Sequence, residues 1–557
     1  MFCAAQGALG RPAPASGFPR HFFAAPPACP VPSMSAVRCQ ANASGRSAAR
    51  NGGRRGGGRS GGRGGGRGGG RGRSNCDTAP SREQVSFASS FPADPVTAII
   101  GGGLSGLICA HEMARRGLRS VVFDTGEHGV GGRLATRSSA DGSLKGAPPG
   151  LVFDHAAQFF TATDPAFQAM VDEWGRDGVV GRWSGPVGTL QDGAFTPDAS
   201  GAVRYVAKKG MRSLATYLAG RASRALEGER SGGGRAVNLD DLVEVRRPQW
   251  VSDARYTREG AEGWRLEGRG RDQGMFDVVV IAHNGKCANR LAAPMGTPAV
   301  HSQLRRLKLS ANWALLVAFA SPVPVPGGME GAFVRGSEVL AWAGNNSAKL
   351  GVAGGPQCWT LFSTQEYGRA NKVPQENVPP EVSARVTGEM LAAFERSLGL
   401  ARGSLPPVVY SRTQLWGAAL PINSPRVGCI FDPAARVGVC GDWVLEGGSM
   451  QAAALSGAAM AERIDASRGR RPTDISDLAM GLTTPLKAAG GEEIGQFPGG
   501  QEPPAAVKQE AAPQRRQQQP QQQRHEHQLR RPDQQGGNGR RTEGDAAPVL
   551  LERPLRR

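Results

Sequence analysis

The residues of this chain best suited by type and spacing to a chemical task are Gly101, Gly103 and Gly106, in G-x-G-x-x-G spacing, and Asp124, eighteen positions after the last of them. Glycines so placed allow a tight turn, a close backbone approach to a pyrophosphate and close packing of a helix on a strand. A carboxylate at that remove accepts hydrogen bonds from a ribose diol. The task implied is dinucleotide binding. The helix N-terminus, beginning at Leu104 and Ser105, offers free N–H groups and the positive end of its dipole to the phosphates. In a chain with 80 glycines the spacing alone carries little weight, so the surrounding elements decide. They fall in order. Residues 96–100 are an apolar run of strand length, 104–116 read as a helix with Gly117 just past its end, and 121–123 read as a second strand that delivers Asp124.

Two further clusters separate a flavin nucleotide from a nicotinamide one. Gly131, Gly132 and Arg133 form a Gly-Gly-Arg turn seven residues past Asp124. Far downstream, residues 437–443 read Val-Gly-Val-Cys-Gly-Asp-Trp, a short buried strand ending in Gly441 and Asp442. Beyond it Gly448, Met450, Ala452, Ser456 and Gly457 open a segment of largely small, helical residues. This arrangement is similar to that of FAD enzymes with the glutathione-reductase-like fold, and the motifs together resemble the flavin amine-oxidase superfamily. Within it, the likeness is to the renalase-like FAD/NAD(P)-binding oxidoreductases of bacteria and plants. That narrower likeness rests on residues 153–160 (Phe-Asp-His-Ala-Ala-Gln-Phe-Phe), on Lys209-Gly210-Met211 with Leu214, and on residues 276–283 (Phe-Asp-Val-Val-Val-Ile-Ala-His). It spans roughly residues 95–465.

The resemblance implies an α/β fold: a glutathione-reductase-like FAD-binding Rossmann domain interleaved with an antiparallel-sheet substrate domain. It implies that Asp442 bonds the ribityl chain, that the helix beginning at Met450 points its N-terminus at the flavin pyrimidine ring, and that a strand through Val243 lays a backbone edge against the adenine. A covalent flavin link would need a cysteine or histidine beside the C-terminal motif. Gly447, Gly448, Ser449 and Met450 supply none, so FAD is expected to be noncovalent. In such enzymes the flavin takes a hydride and the protein supplies orientation and electrostatics, so a catalytic base need not exist. The catalytic residues stay unassigned, with His155, Gln158, Lys308, Trp416 and Trp443 as candidates near the ring. For each a bland alternative stands beside the catalytic one. His155, after Asp154, is an oriented imidazole or a packed core histidine. Gln158, with Phe159 and Phe160, lines the cavity or fills the core. Lys308, between Leu307 and Leu309, corresponds by resemblance to a lysine that holds a water near flavin N5, or is a surface lysine. His283 and Asn284 follow a fully apolar strand where this fold places a loop beside the dinucleotide.

Composition describes a globular middle with two charged ends. Residues 1–76 contain twelve arginines, no lysine and no acid, and residues 501–557 contain eleven Lys/Arg against seven Asp/Glu. Sixteen of the formal +19 charges therefore lie in the ends, and the near-neutral middle has no strong field to steer anions. Residues 1–50, rich in Ala, Pro, Ser and Arg, have the chemistry of a plastid transit peptide, which places the protein in the chloroplast stroma, or in the cytoplasm if the segment is an ordinary extension. The Gly-Gly-Arg repeats of 52–73 read as a solvated linker. RNA binding through them is the less favoured alternative, since the tract has no aromatic residue to stack on bases. The Gln/Pro/Arg-rich tail is given no chemistry. Nine cysteines without a C-x-x-C pair argue against zinc and against a disulfide framework, and no metal is expected. No apolar run reaches the roughly 18 residues that span a bilayer.

The expected division is 1–50 transit peptide, 51–93 linker, 94–160, 207–290 and 425–470 for the FAD-binding domain, 161–206 and 291–424 for the substrate domain, and 471–557 tail. The function expected is an FAD-dependent oxidoreductase acting on a small reduced substrate, a dihydronicotinamide such as NAD(P)H or an amine, by hydride transfer to the flavin. The alternatives are an amine, polyene or porphyrin oxidase of the same superfamily, or a plastid FAD-containing protein that binds RNA through its Gly/Arg tract.

Overall fold

The computed structural model describes residues 83–221, 242–445 and 448–489. Its first βαβ unit follows directly from the local sequence. Strand β1 is Val96–Ile100, helix α1 is Leu104–Arg115, and β2 is Arg119–Phe123, parallel to β1 with Phe123 opposite Ile100. Gly117, at φ +74°, turns the chain out of α1 in a left-handed conformation that suits a residue without Cβ. A hairpin of β3 (Thr136–Ser138) and β4 (Val152–Asp154) leads to α2 (Pro165–Arg176). Asp164 caps α2 by accepting from the N–H groups of Ala166 and Phe167. Strands β5 (Val180–Arg182), β6 (Val187–Gln191), β7 (Ala194–Pro197) and β8 (Tyr205–Ala207) precede α3 (Arg212–Arg221).

After β9 (Val243–Arg246), a three-stranded meander of β10 (Asp253–Thr257), β11 (Gly263–Gly268) and β12 (Arg271–Phe276) leads into β13 (Val278–Ile281). Helices α4 (Gly285–Ala292) and α5 (Pro298–Arg306) follow. The next stretch holds β14 (Asn312–Phe319), β15 (Gly331–Val334), β16 (Leu340–Asn345), α6 (Asn346–Lys349), β17 (Gln357–Ser363), α7 (Gln365–Ala370), α8 (Pro380–Ser397) and β18 (Val408–Trp416). The chain then returns through β19 (Asn423–Ser424), β20 (Ile430–Asp432), β21 (Val437–Val439), α9 (Asp442–Leu445), α10 (Met450–Ser467) and β22 (Lys487–Ala488).

Two sheets organise these elements into a mixed α/β fold with a Rossmann-type domain and an antiparallel sheet. The first has the order β20-β21-β13-β1-β2-β9 and is parallel except for β20. Its inner strand β13 is Val-Val-Val-Ile, buried throughout, because helices or the meander cover both faces. The second has the order β18-β14-β17-β16-β15-β6-β7 and is antiparallel except where β6 meets β15. Strand β14 shows how it is held. Trp313, Leu315, Val317 and Phe319 pack with Val386, Met390 and Phe394 of α8, while Leu316 and Ala318 face Phe153 on the other side.

Several expected boundaries move. Residues 83–93, assigned to a linker, are folded onto the core: Phe87 and Phe91 are buried, and the Arg436 guanidinium lies 4.0 Å and 5.2 Å from their ring centres. Residues 471–489, assigned to the tail, also pack. Met480 bridges to Phe431, and Gln303 donates to the carbonyls of Leu482 and Thr484. Within 161–206, helix α2 buries Phe167, Val171 and Trp174 against α1, α3 and α10, so only β6 and β7 belong to the antiparallel sheet. Helices α4 and α5, placed partly in the substrate domain, bury Leu291, Val300 and Leu304 with the parallel sheet. Strands β15 and β16 form a hairpin reversed around Gly336 at φ +72°. The transit-like segment, the Gly/Arg tract and the Gln-rich tail lie outside the described residues. Among the described residues no helix is long and apolar enough to cross a membrane.

Candidate functional site

A cavity of about 430 Å³ opens along the C-terminal edge of the parallel sheet, where the residues following β1, β2, β13 and β21 face it. This edge is where open α/β sheets take ligands, since the strands diverge and the following loops leave a crevice. The glycine turn after β1 divides its work. At Gly101 (φ +122°) a Cβ would lie 2.9 Å from the Ala282 carbonyl oxygen, and at Gly106 it would lie 2.1 Å from that of Gly101. Both positions are closed by packing. At Gly103, which lines the cavity, nothing stands within 4 Å, so the backbone is open to a ligand. Leu104 and Ser105 then start α1 and line the same wall.

Asp124 is fixed before any ligand arrives. Its Oδ2 accepts from Gly102 N–H at 2.9 Å and its Oδ1 from Gly126 N–H at 2.7 Å. A Cβ at position 102 would come within 2.8 Å of Oδ2, so the middle glycine is required by the acid rather than by the turn. Sequence spacing did not single out Gly102; the signal was an uninterrupted Gly-Gly-Gly. Gly131, in the second turn, is bridged to Gly103 and donates its N–H to the Gly102 carbonyl at 2.7 Å, so the two glycine motifs form one surface.

Arg133 and Asp442 meet at the other side of the cavity. The guanidinium donates to both carboxylate oxygens, at 2.7 and 2.6 Å, and Nη1 also reaches the Ala419 carbonyl at 3.0 Å. Gly441 is held by the Ser456 hydroxyl at 3.1 Å, and Ser449 caps α10 by accepting from Ala452 N–H. Met450 and Trp443 line the cavity here, and the buried indole N–H of Trp443 has no partner among the described residues. The small residues of α10 serve its crossing with α1: a Cβ at Gly457 would lie 2.2 Å from the Ser105 carbonyl oxygen.

His283, after β13, lines the cavity with its Nδ1 2.9 Å from the Ile100 carbonyl. Burial holds its pKa below the usual histidine value, opposed by that backbone bond. Val243 does not reach the cavity. It lies on edge strand β9, packed beside Ala114 and Leu242, while Gln249, Trp250 and Val251 of the following loop line the cavity beside Asp124. Trp250 is 39% exposed, and periodicity gave no signal for an aromatic in that loop.

Of the catalytic candidates, Trp416 and Trp443 line the cavity. His155 and Gln158 do not: both are buried and structural. His155 stacks under Trp416 with ring centres 5.3 Å apart, and Gln158 donates to the carbonyls of Asp154 (2.6 Å) and Ala156 (3.2 Å). Lys308 is exposed and outside the cavity, its backbone N–H bonded to Asn423. The buried lysine is Lys349, which sequence reasoning missed. Its Nζ lies 2.8 Å from Asp154 Oδ2 and donates to the Gln158 carbonyl, while Asp154 Oδ1 accepts from Thr136 Oγ1 and Met211 N–H. The Phe-Asp-His segment thus ties the β3–β4 hairpin and the start of α3 to α6. Among the described residues no cluster of three or more His, Cys, Asp or Glu could hold a metal ion.

Residues 99–174 match the NAD(P)-binding Rossmann-like domain family. Among solved structures, the chain is similar to putrescine oxidase bound to putrescine, at 13% identity over 67% of this chain and 99% of that one, with a TM-score of 0.45. An oxidoreductase from Methanosarcina mazei matches at 14% identity over 66% and 100%, with a TM-score of 0.40. A reduced UDP-galactopyranose mutase matches at 9% identity over 69% and 98%, with a TM-score of 0.47.

Proposed function

We propose that this chain is an FAD-dependent oxidoreductase of renalase-like type that oxidises a small reduced substrate. The observation that carries the reading is one cavity with a ribose-type acid, Asp124, on one side and the Arg133–Asp442 pair with the α10 N-terminus on the other. A mononucleotide would leave one of these sides unused. The residues fit the group: an open Gly103 beside a helix N-terminus for the pyrophosphate, a pre-set carboxylate for the adenosine ribose, and an unpartnered Trp443 indole N–H at the far wall. When bound, the flavin supplies the hydride acceptor. The chain's own residues position and shield. Arg133 holds the Asp442 carboxylate in place, Trp416 and Met450 wall off water, and His283, bonded to Ile100, sets the loop beneath.

The substrate favoured is a dihydronicotinamide, with an amine second and a polyene or porphyrin third. Residues 1–50 are proposed to direct import into plastids, tested by whether a fusion of residues 1–60 to a fluorescent protein enters them or stays in the cytosol. For the function, the purified protein should be yellow and release FAD, not FMN, on acid treatment, and NADH or NADPH should bleach the flavin band anaerobically. A colourless protein that takes up no FAD overturns the cofactor reading. Bleaching by amines alone moves the substrate to the second class. Salt-sensitive RNA binding that vanishes when Arg54 to Arg73 are replaced by serine, together with no flavin reduction, would favour the RNA-binding alternative.

A further inference from the structure

Beside the cavity, three arginines from separate parts of the chain converge. Arg137 of β3 and Arg412 of β18 both donate to the Ser143 carbonyl, at 3.4 and 3.1 Å. Arg137 also donates to Gln414 Oε1 at 3.0 Å. Arg212, at the start of α3, is tied to β3 through its backbone N–H, which donates to Thr136 Oγ1 at 2.9 Å. Arg412, Gln414 and Trp416 alternate along one face of β18, so Arg412 lies on the same face as the cavity-lining Trp416, about 13 Å further along extended chain.

The cluster carries more charge than the protein balances. Among the described residues Asp141 alone forms an ion pair with it, at 2.5 Å from Arg212 Nη1, on an exposed turn. The buried Nε atoms of Arg137 and Arg212 have no partner among the described residues. The three charges act on one another and on the ring beside them. Burial and then the charges of Arg412 and Arg212 lower the Arg137 pKa to about 10, and burial followed by all three guanidinium charges pushes His155 well below the usual histidine value. Guanidinium groups held together without carboxylates repel one another and favour a bound polyanion, most of all a phosphate that can take bidentate bonds. The same charge opposes the approach of a cationic amine.

We propose that Arg137, Arg212 and Arg412 form an anion subsite that takes the phosphate-bearing part of a dihydronicotinamide nucleotide whose ring lies at Trp416. This rests on the oxidoreductase reading above and selects the substrate class within it. Asp141 holds Arg212 when the subsite is empty and yields to the phosphate when it is filled.

The test uses the FAD-loaded protein at constant ionic strength, with NADPH, NADH and a phosphate-free N-alkyl dihydronicotinamide as reductants of the flavin. In Arg212→Gln and Arg412→Gln, half-saturation for the two nucleotides should rise at least tenfold while the phosphate-free compound is unchanged. Asp141→Asn should shift the nucleotides the opposite way, a sign that a merely structural role would not produce. Equal losses with all three reductants, or no change with any, overturn the subsite. If no dihydronicotinamide reduces the flavin, the substrate class fails, and inorganic pyrophosphate decides the subsite by itself. A rise in melting temperature that both arginine variants abolish retains it, and no rise overturns it. Flavin absorbance and melting temperature without ligand confirm that the variants fold.

Discussion

Arg133 and Asp442 lie 309 residues apart and form a bidentate pair, Nη1 to Oδ2 at 2.7 Å and Nη2 to Oδ1 at 2.6 Å. The carboxylate is almost fully buried and the guanidinium is 23% exposed. Removing one partner leaves the other charge desolvated and unpaired, which costs about 3 kcal/mol or more in comparable buried pairs. Arg133→Met and Asp442→Asn should each destabilise the protein on that scale in urea unfolding with saturating FAD. The double variant should lose clearly less than the sum. Additive losses would show that the pair is not energetically coupled.

Asp124 holds two backbone N–H groups, and on the reading proposed above its remaining acceptor capacity serves the adenosine ribose diol. Each charge-assisted bond is worth about 1.5–3 kcal/mol. Asp124→Ala should therefore weaken FAD binding at least tenfold, measured by reconstituting the apoprotein with FAD. Unchanged affinity would place the adenosine elsewhere.

The segment before β1 should matter to stability although the charged ends do not. Phe87 and Phe91 are 3% and 2% exposed, and Arg436 lies against both rings. Removing residues 1–82 and 490–557 should leave melting temperature and FAD content nearly unchanged. Removing 1–93 should destabilise strongly, since loss of one buried phenylalanine side chain alone costs about 3–5 kcal/mol. Equal melting temperatures for the two truncations would refute the packing role.

His155 gives the protein an acid-sensitive core. Burial first, then Arg137, Arg212 and Arg412, hold its folded pKa well below 6.5, so the folded protein keeps it neutral while the unfolded chain protonates near 6.5. The unfolded state then binds more protons, and stability present above pH 6.5 falls as pH drops, by about 1.4 kcal/mol per unit for one such group. His155→Gln should flatten unfolding free energy between pH 7 and 5, even if its value at pH 7 is lower. An unchanged slope would assign the acid sensitivity to other groups.

The sequence by itself determined what is local. The turn of Gly101, Gly103 and Gly106, the helix after it and the strand delivering Asp124 lie within one short stretch, where apolar period and glycine spacing suffice. Tertiary structure decided what depends on direction and on distant partners. A residue type does not reveal which way its side chain points, so the sequence left His155 and Gln158 open between cavity and core, and the structure buries both. Lys308 and Lys349 look alike in sequence, yet only Lys349 meets an acid, Asp154, brought to it across 195 residues by the packing of the β3–β4 hairpin on the antiparallel sheet. Val243, expected beside the nucleotide, does not line the cavity, and Gln249 and Trp250 of the following loop do. Local composition marks 243–245 as a strand, but its edge position beside β2 and the course of the loop beyond it depend on tertiary pairing that no local pattern encodes.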